Sequence, residues 1–321
     1  MGRELLAAAG IAMSGMALAS FASARKPRPR QARLQHTITA RRSRGEAPAT
    51  VNVARKLNRA AGTLAVSVLA DSAVEHYRGS FKNKAMYTPL VVSALTLATS
   101  IHGTADMRAL AHKARDATYL LAAATGLVGT GFHLYNVGKK VGGFSWQNLF
   151  YGAPIGAPMA ILLSGLLGFC SERVRETDGR RRRPEIFRLP AGRTIAAVTG
   201  AGLLGTTGEA GLLHFRGAYH NPFMLAPVTL PPIGAALLMS AASGRQGPPH
   251  RLTRWWMRLL ALMGFVGVGF HAYGVSRNMG GWRNWSQNVL NGPPLPAPPS
   301  FAGLALAGLA ALGLMREHPD A

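Results

Sequence analysis

Four histidines form two pairs that repeat along the chain. His76 and His133 recur at one constant spacing as His214 and His271, and the second member of each pair stands in the pattern G-F-H-x-Y. Neutral imidazole is the usual side chain for binding haem iron or a metal ion inside a helical bundle. Two histidines on two helices can hold one b-type haem, and a duplicated unit can hold two. The alternative is that these histidines finish helix ends at the level of the lipid headgroups.

An arginine follows the first histidine of each pair, in the pattern H-[YF]-R-G. Arg78 and Arg216 can bind an anionic group such as a haem propionate, a carboxylate or a lipid phosphate. The alternative is that they are interface arginines whose charged ends reach past the apolar segment to water. Small residues in the pattern G-x-x-G-x-G precede His133 and His271. A neighbouring helix, or a flat ring such as haem or quinone, can lie against such a surface.

Two acidic residues lie within apolar segments. Asp71 is five residues before His76, and Glu209 is five residues before His214. A carboxylate inside a membrane is costly, so each is a candidate proton or ion site. Five residues turn a helix by about 500°, so an acid and the histidine that follows it are not expected to touch. The structural alternative is that each acid bonds to a polar group or an arginine of a neighbouring helix.

Other kinds of chemistry lack their motifs in this sequence. We find no nucleophile–His–acid set, P-loop or HExxH motif, and no strand precedes the G-x-G patterns as a nucleotide site requires. Cys170 is the only cysteine, which excludes a disulfide framework within the chain and any metal site of several cysteines. We therefore expect a protein that is not an enzyme on its own, with no metal beyond haem iron at the four histidines.

The composition indicates a membrane protein. Hydrophobic residues make up 48% of the 321 residues, and charged residues only 15%, although the formal net charge is +23. Soluble proteins usually carry about 25% charged residues. We predict an all-α polytopic membrane protein with about eight transmembrane helices, since a span needs about 20 apolar residues. The predicted spans are 60–77, 86–103, 117–137, 153–170, 194–214, 223–242, 256–275 and 298–315.

Basic residues are distributed unevenly between alternate connections of these spans. The connections 24–59, 104–116, 171–193, 242–259 and the C-terminal tail hold 27 of the 36 Lys and Arg, and the other four connections hold 8. Cytoplasmic loops carry the excess of Lys and Arg in membrane proteins. The pattern predicts a bacterial inner-membrane protein whose core begins and ends in the cytoplasm. No nucleic-acid partner is expected, because the arginines flank apolar segments rather than cover a folded surface.

The spacing that relates the histidines extends well beyond them. HYRGSFKNKAMYTP at 76–89 resembles HFRGAYHNPFMLAP at 214–227, and KVGGFSWQN at 140–148 resembles NMGGWRNWSQN at 278–288. These matches predict a tandem duplication of a four-span unit. Because each unit has an even number of spans, both copies insert with the same orientation, as parallel repeats about an axis along the membrane normal.

The duplication and the charge runs suggest a division of the chain. Residues 1–56 form a weak apolar segment followed by a disordered basic arm that binds anionic lipid. Residues 57–175 form the first four-helix repeat, 176–193 a basic cytoplasmic linker, 194–316 the second repeat and 317–321 a tail. Residues 1–24 also fit a cleaved signal peptide, a ninth span or an organelle transit segment.

Three classes of function fit these features. The first is a redox or electron-transfer membrane subunit that binds b-type haem or quinone near the outer face through the four histidines. The second is a transporter or permease that uses Asp71 and Glu209. The third is a membrane scaffold or assembly protein without a ligand, whose outer loops dock a partner subunit. Absorption and metal analysis of the purified protein would separate the first class from the other two.

Overall fold

The computed structural model describes residues 49–177, 184–244 and 251–318. Within these ranges the chain is almost entirely helical. The helices are α1 Ala49–Arg78, α2 Thr88–Ala105, α3 Lys113–Gly138, α4 Trp146–Tyr151, α5 Gly156–Thr177, α6 Ala191–Arg216, α7 Ala226–Ala242, α8 Arg251–Arg277, α9 Trp285–Asn291 and α10 Pro299–Glu317. Single 3-10 turns cover Lys84–Tyr87, Pro222–Leu225 and Gly281–Asn284. An antiparallel pair of two-residue strands, β1 (Glu185–Ile186) and β2 (Leu189–Pro190), precedes α6.

Six helices in the described ranges are long and apolar enough to cross a membrane, namely α2, α3, α5, α7, α8 and α10. The prediction of an all-α fold with membrane-compatible helices is therefore confirmed. The other two expected spans lie in α1 and α6, which are 30 and 26 residues long but contain no 18-residue stretch apolar enough to qualify as a span. The physical reason is their composition, because α1 carries Asp71 and Glu75, and α6 combines Glu209 with many glycines and threonines.

Four helices form the centre of the bundle. α1 packs against α2, α5 and α10, and α6 packs against α7, α10 and α5. Fully buried leucines from each of these four central helices belong to one core, for example Leu57 of α1, Leu167 of α5, Leu203 of α6 and Leu304 of α10. α3 packs on α5 and α8 packs on α10, so α3 and α8 lie outside the central four. Chain connectivity thus places α1, α2, α3 and α5 in one half and α6, α7, α8 and α10 in the other.

Glycines set the distance between outer and central helices in both halves. A Cβ atom added to Gly126 of α3 would lie 2.6 Å from the carbonyl oxygen of Pro158 in α5. A Cβ atom added to Gly264 of α8 would lie 2.9 Å from the carbonyl oxygen of Pro298, at the start of α10. Real Cβ atoms do not approach this closely, so the helix backbones are in contact because a side chain is missing.

We expect Gly126→Ala to lower the free energy of unfolding by about 1–3 kcal/mol, because the added methyl group must push α3 away from α5. Gly131→Ala on the same helix is the matched control, since a Cβ atom there meets nothing within 4 Å. Thermal unfolding in detergent, followed by circular dichroism, measures both variants. Equal melting temperatures for the two variants would show that the α3–α5 contact is not as close as described.

The buried polar groups of the two halves differ. The Tyr119 hydroxyl donates to the side-chain oxygen of Asn58 and lies 3.2 Å from the Ser100 hydroxyl, and all three side chains are buried. The corresponding positions of the second half hold Ala196, Leu238 and Met257, which are also buried. A hydrogen-bonded network in the first half therefore corresponds to apolar packing in the second.

Two predicted boundaries differ from the structure. α1 begins at Ala49, so residues 49–56, which we expected in the disordered arm, are helical, because Val51, Val53 and Ala54 are buried in the bundle. The expected linker 176–193 contains the end of α5, the strand pair and the start of α6. The predictions for residues 1–48 and 178–183, and for the last three residues, lie outside the described residues.

Candidate functional site

The four predicted histidines all have the same kind of neighbour. Each imidazole places its Nδ1 atom against a backbone carbonyl oxygen of a later segment in its own half. The Nδ1–O distance is 2.5 Å from His76 to Met86, 2.8 Å from His214 to Met224 and 2.7 Å from His271 to Pro294. His133 makes the corresponding contact with Pro154. These segments precede α2, α5, α7 and α10, so the four histidines lie at the same end of the bundle.

This arrangement fixes the tautomer of the neutral rings. A carbonyl oxygen can only accept a hydrogen bond, so Nδ1 must carry the proton. A neutral imidazole has one proton, which leaves Nε2 as a free lone pair. Histidines that bind a metal are usually held in this way, with the second ring nitrogen donating to a carbonyl or carboxylate.

The structure brings the histidines together as two pairs, one in each half. The ring centres of His214 and His271 are 6.4 Å apart. In the first half, His76 and His133 lie at the same end of α1 and α3, each against a carbonyl oxygen of a following segment. In the first half, α1 and α3 both pack on α2 and on α5, so the two histidines come from helices that face each other across a four-helix unit.

The spacing within a pair fits one metal held between two rings. Two metal–nitrogen bonds of about 2.0–2.1 Å, with the ring radii added, place the ring centres about 6 Å apart. In the part of the chain that the structure describes, no group of three or more His, Cys, Asp and Glu side chains can hold a bare metal ion.

The predicted arginines connect the two halves. Arg78 of the first half forms an ion pair of 3.0 Å with Glu75 and donates to the carbonyl oxygen of Leu290 in the second half. Arg216 of the second half lies over the ring of Tyr151 in the first half, 5.0 Å from its centre. Both guanidinium groups thus contact the opposite half, and their predicted binding of an anionic group stays a prediction.

The predicted acids also lie at the junction of the halves. Glu209 accepts a hydrogen bond of 3.0 Å from the backbone nitrogen of Gly156, the first residue of α5. Asp71 lies on α1, one helical turn before Glu75. The position of Gly156 corresponds to Pro296 in the second half, which has no N–H to donate. The equivalent bond to Asp71 is therefore impossible, and the two acids have different surroundings.

A buried cluster of charges at the opposite end of the bundle was missed by sequence reasoning. Arg115 forms ion pairs of 2.8 Å with Asp106 and 2.9 Å with Glu172, and Arg175 lies 3.6 Å from Glu172. Arg175 also donates to the carbonyl oxygen of Gly103 at 2.7 Å. The available signal was Glu172 and Arg175 one helical turn apart at the end of an apolar segment, but we assigned these charges to a cytoplasmic flank.

We expect Asp106 to stabilise the fold in a pH-dependent way. Burial acts to raise the pKa of this carboxyl, but hydrogen bonds from Arg108 and Arg115 outweigh burial and hold the pKa well below its usual range. A lowered pKa gives stability that is present above the unfolded value of about 3.9 and is lost as the pH falls towards the folded value.

The test is the change in melting temperature between pH 7 and pH 3. Asp106→Asn should lower the melting temperature at pH 7 and reduce its loss on acidification, since the variant has no carboxylate to protonate. Glu185→Gln, at an exposed position in β1, is the control. An equal loss on acidification in the wild type and Asp106→Asn would contradict the assignment.

Comparisons with known protein families, characterised proteins and solved structures return no match.

Proposed function

We propose that this protein is an electron-transfer subunit of a membrane complex that binds two b-type haems. His76 and His133 would hold one haem, and His214 and His271 the other. The observation that carries the proposal is the common anchoring of all four imidazoles, whose Nδ1 atoms face backbone carbonyl oxygens. Haem iron would supply one-electron chemistry, and the chain would supply the histidine nitrogens that hold it and an apolar surrounding.

Pairing of the histidines distinguishes this function from a purely structural role. A histidine that only finishes a helix needs its own carbonyl contact and no second imidazole. Here the anchored rings of His214 and His271 lie beside each other, and the 6.4 Å between their centres suits a shared metal. Two electron carriers in one chain would let an electron cross from one half of the bundle to the other.

We further propose that the two halves are parallel repeats of four spans each, with α1 and α6 as spans beside the six more apolar helices. The matching motifs and the matching contacts of Gly126 and Gly264 support the duplication. The basic flanks support an inner-membrane location with the histidines near the outer face. A partner subunit on that face would exchange electrons with the haems, and anionic lipid would bind the basic arm.

The test is optical. We expect the purified protein to show a Soret band that shifts on reduction with dithionite, with about two haems per chain by pyridine haemochrome assay. His133→Ala and His271→Ala should each lower the haem content. A folded, colourless preparation from cells supplied with haem precursor would reject this function and favour a scaffold.

A second candidate is a transporter that uses the two acids. It is favoured by one observation, the position of Glu209 between the two halves, where its carboxylate accepts a hydrogen bond from the backbone nitrogen of Gly156 in α5. Acids within a bundle commonly mark a proton or ion pathway. Proton-coupled uptake that survives Asp71→Asn combined with Glu209→Gln would remove these roles.

A further inference from the structure

We infer that a groove between α4 and α6 binds the ring of a quinone. The groove has a volume of about 320 Å³ and opens to the outside of the bundle. Its lining is mainly aromatic and glycine, with Trp146 and Phe150 from α4, Gly208, Gly211 and Phe215 from α6, and Tyr219 from the following turn. Pockets of about 300 Å³ and above are large enough for small organic ligands.

The floor of the groove exists because two side chains are missing. A Cβ atom added to Gly208 would meet nothing within 4 Å, and one added to Gly211 would meet only the side chain of Val228 at 3.7 Å. The rings of Phe150 and Phe215 stand at 73° with their centres 5.5 Å apart. A flat ring can therefore lie on the glycine surface with an aromatic edge or face beside it.

The polar groups beside the groove suit a carbonyl oxygen. The Tyr219 hydroxyl makes a long hydrogen bond of 3.3 Å with the carbonyl oxygen of Gly211, so a ligand oxygen can compete for this donor. The Tyr219 ring centre lies 6.3 Å from that of His214, a member of the second histidine pair. A lipid acyl chain would fill the volume of the groove, but it would offer the Tyr219 hydroxyl no hydrogen-bond acceptor to replace the carbonyl oxygen of Gly211.

The corresponding surface of the other half lacks the two glycines. Gly208 and Gly211 correspond to Ala70 and Ala73 of α1, and Phe150 corresponds to Leu290 of α9 in the alignment that places Pro158 on Pro298. Ala70 is 5% exposed, and α1 contacts α9. The glycine floor of the groove thus occurs on one side of the bundle, whereas the histidine motifs occur on both sides.

The choice of a quinone rests on the proposed electron-transfer function, since a quinone is the lipid-soluble molecule that accepts or supplies electrons within a bilayer. Its apolar tail would extend from the groove into the membrane, where the exposed faces of Trp146 and Phe215 lie. The expectation is one quinone site for two histidine pairs.

The experiment compares two glycine-to-leucine variants of the full chain in detergent. Gly208→Leu fills the groove, and Gly205→Leu, one turn earlier on α6, is the matched control, because a Cβ atom at either position meets nothing within 4 Å. Binding of a decyl-chain ubiquinone and a short-chain menaquinone is measured by quenching of tryptophan fluorescence and by calorimetry. We expect Gly208→Leu to weaken quinone binding at least about tenfold and Gly205→Leu to leave it within about twofold.

Decanoic acid is the competing probe. If it displaces the quinone at equal concentration, the groove is an acyl-chain site and the inference is overturned. Equal quinone affinity in both variants, or no quinone binding, also overturns it. Haem content is measured in the same samples. If haem is absent, the proposed electron-transfer function fails. If haem is present but Gly208→Leu does not change quinone binding, only the quinone site fails.

Discussion

Replacing Glu172 by leucine is expected to lower the free energy of unfolding by about 3–5 kcal/mol. Glu172 is fully buried and pairs with both Arg115 and Arg175, which are also buried. Its carboxylate additionally accepts from the backbone nitrogen of His112 at 2.9 Å. Removal would leave Arg115 with Asp106 as its remaining carboxylate partner and would take from Arg175 its contact with Glu172. The melting temperature in detergent measures the loss, and Glu317→Gln at the more exposed end of α10 is the control.

The second half of the chain shows how this cost can be reduced. In the alignment that places Pro158 on Pro298, Glu172 corresponds to Leu312 and Arg175 to Met315, both buried. An ion pair can often be replaced as a unit by packed apolar side chains at little cost. We expect Glu172→Leu combined with Arg175→Met to destabilise the protein by less than the sum of the two single variants. Additive losses would mean that the two charges do not act as a pair.

Histidine variants in different combinations are expected to show whether the four histidines form two haem sites, one in each half, or a single haem site. If each half binds one haem, His214→Ala and His271→Ala should each lower the haem content by about half. The double variant within that half should lose no more, since the two residues serve one haem. His133→Ala combined with His271→Ala, which breaks both pairs, should lose nearly all of it. Haem content and the amplitude of the Soret band are the measurements.

The control for these variants is His220→Ala. His220 also places its Nδ1 atom 2.9 Å from a backbone carbonyl oxygen, that of Gly217, but it is exposed and outside the pairs. Its removal should leave haem content unchanged. Complete loss of haem in either single variant His214→Ala or His271→Ala would contradict two independent sites and indicate that the four imidazoles serve one.

Much of the fold could be predicted from hydropathy, because a helix that crosses a bilayer must be long and apolar. Basic residues and glycines flank many of these apolar segments, and they marked the approximate ends of the helices. The constant spacing between the matching motifs also predicted which histidines correspond. Sequence spacing did not predict the partners of Arg78 and Arg216, since Leu290 and Tyr151 belong to the opposite half. Those contacts depend on how the halves dock.

Buried charges were the least predictable part of the structure. Arg175 resembles any flanking arginine in the sequence, but three backbone carbonyl oxygens of residues 103–108 surround it in the structure. The groove on α6 could not be predicted from the sequence, for a related reason. The sequence contains many glycines, so Gly208 and Gly211 do not stand out in it. Their role at the groove is visible only when they are compared with Ala70 and Ala73, the corresponding residues of the packed helix α1.

The contacts exchanged between the halves have a consequence for the order of assembly during synthesis. The first N–H groups of a helix have no partner within it, and that of Gly156 in α5 finds one only in Glu209 of α6. Arg78 likewise donates to the carbonyl oxygen of Leu290 in α9. This residue is synthesised only after most of the second half, so the contact forms late. Until the second half has been made, these two contacts of the first half are missing. We therefore expect the first half alone to be less stable than it is within the full chain.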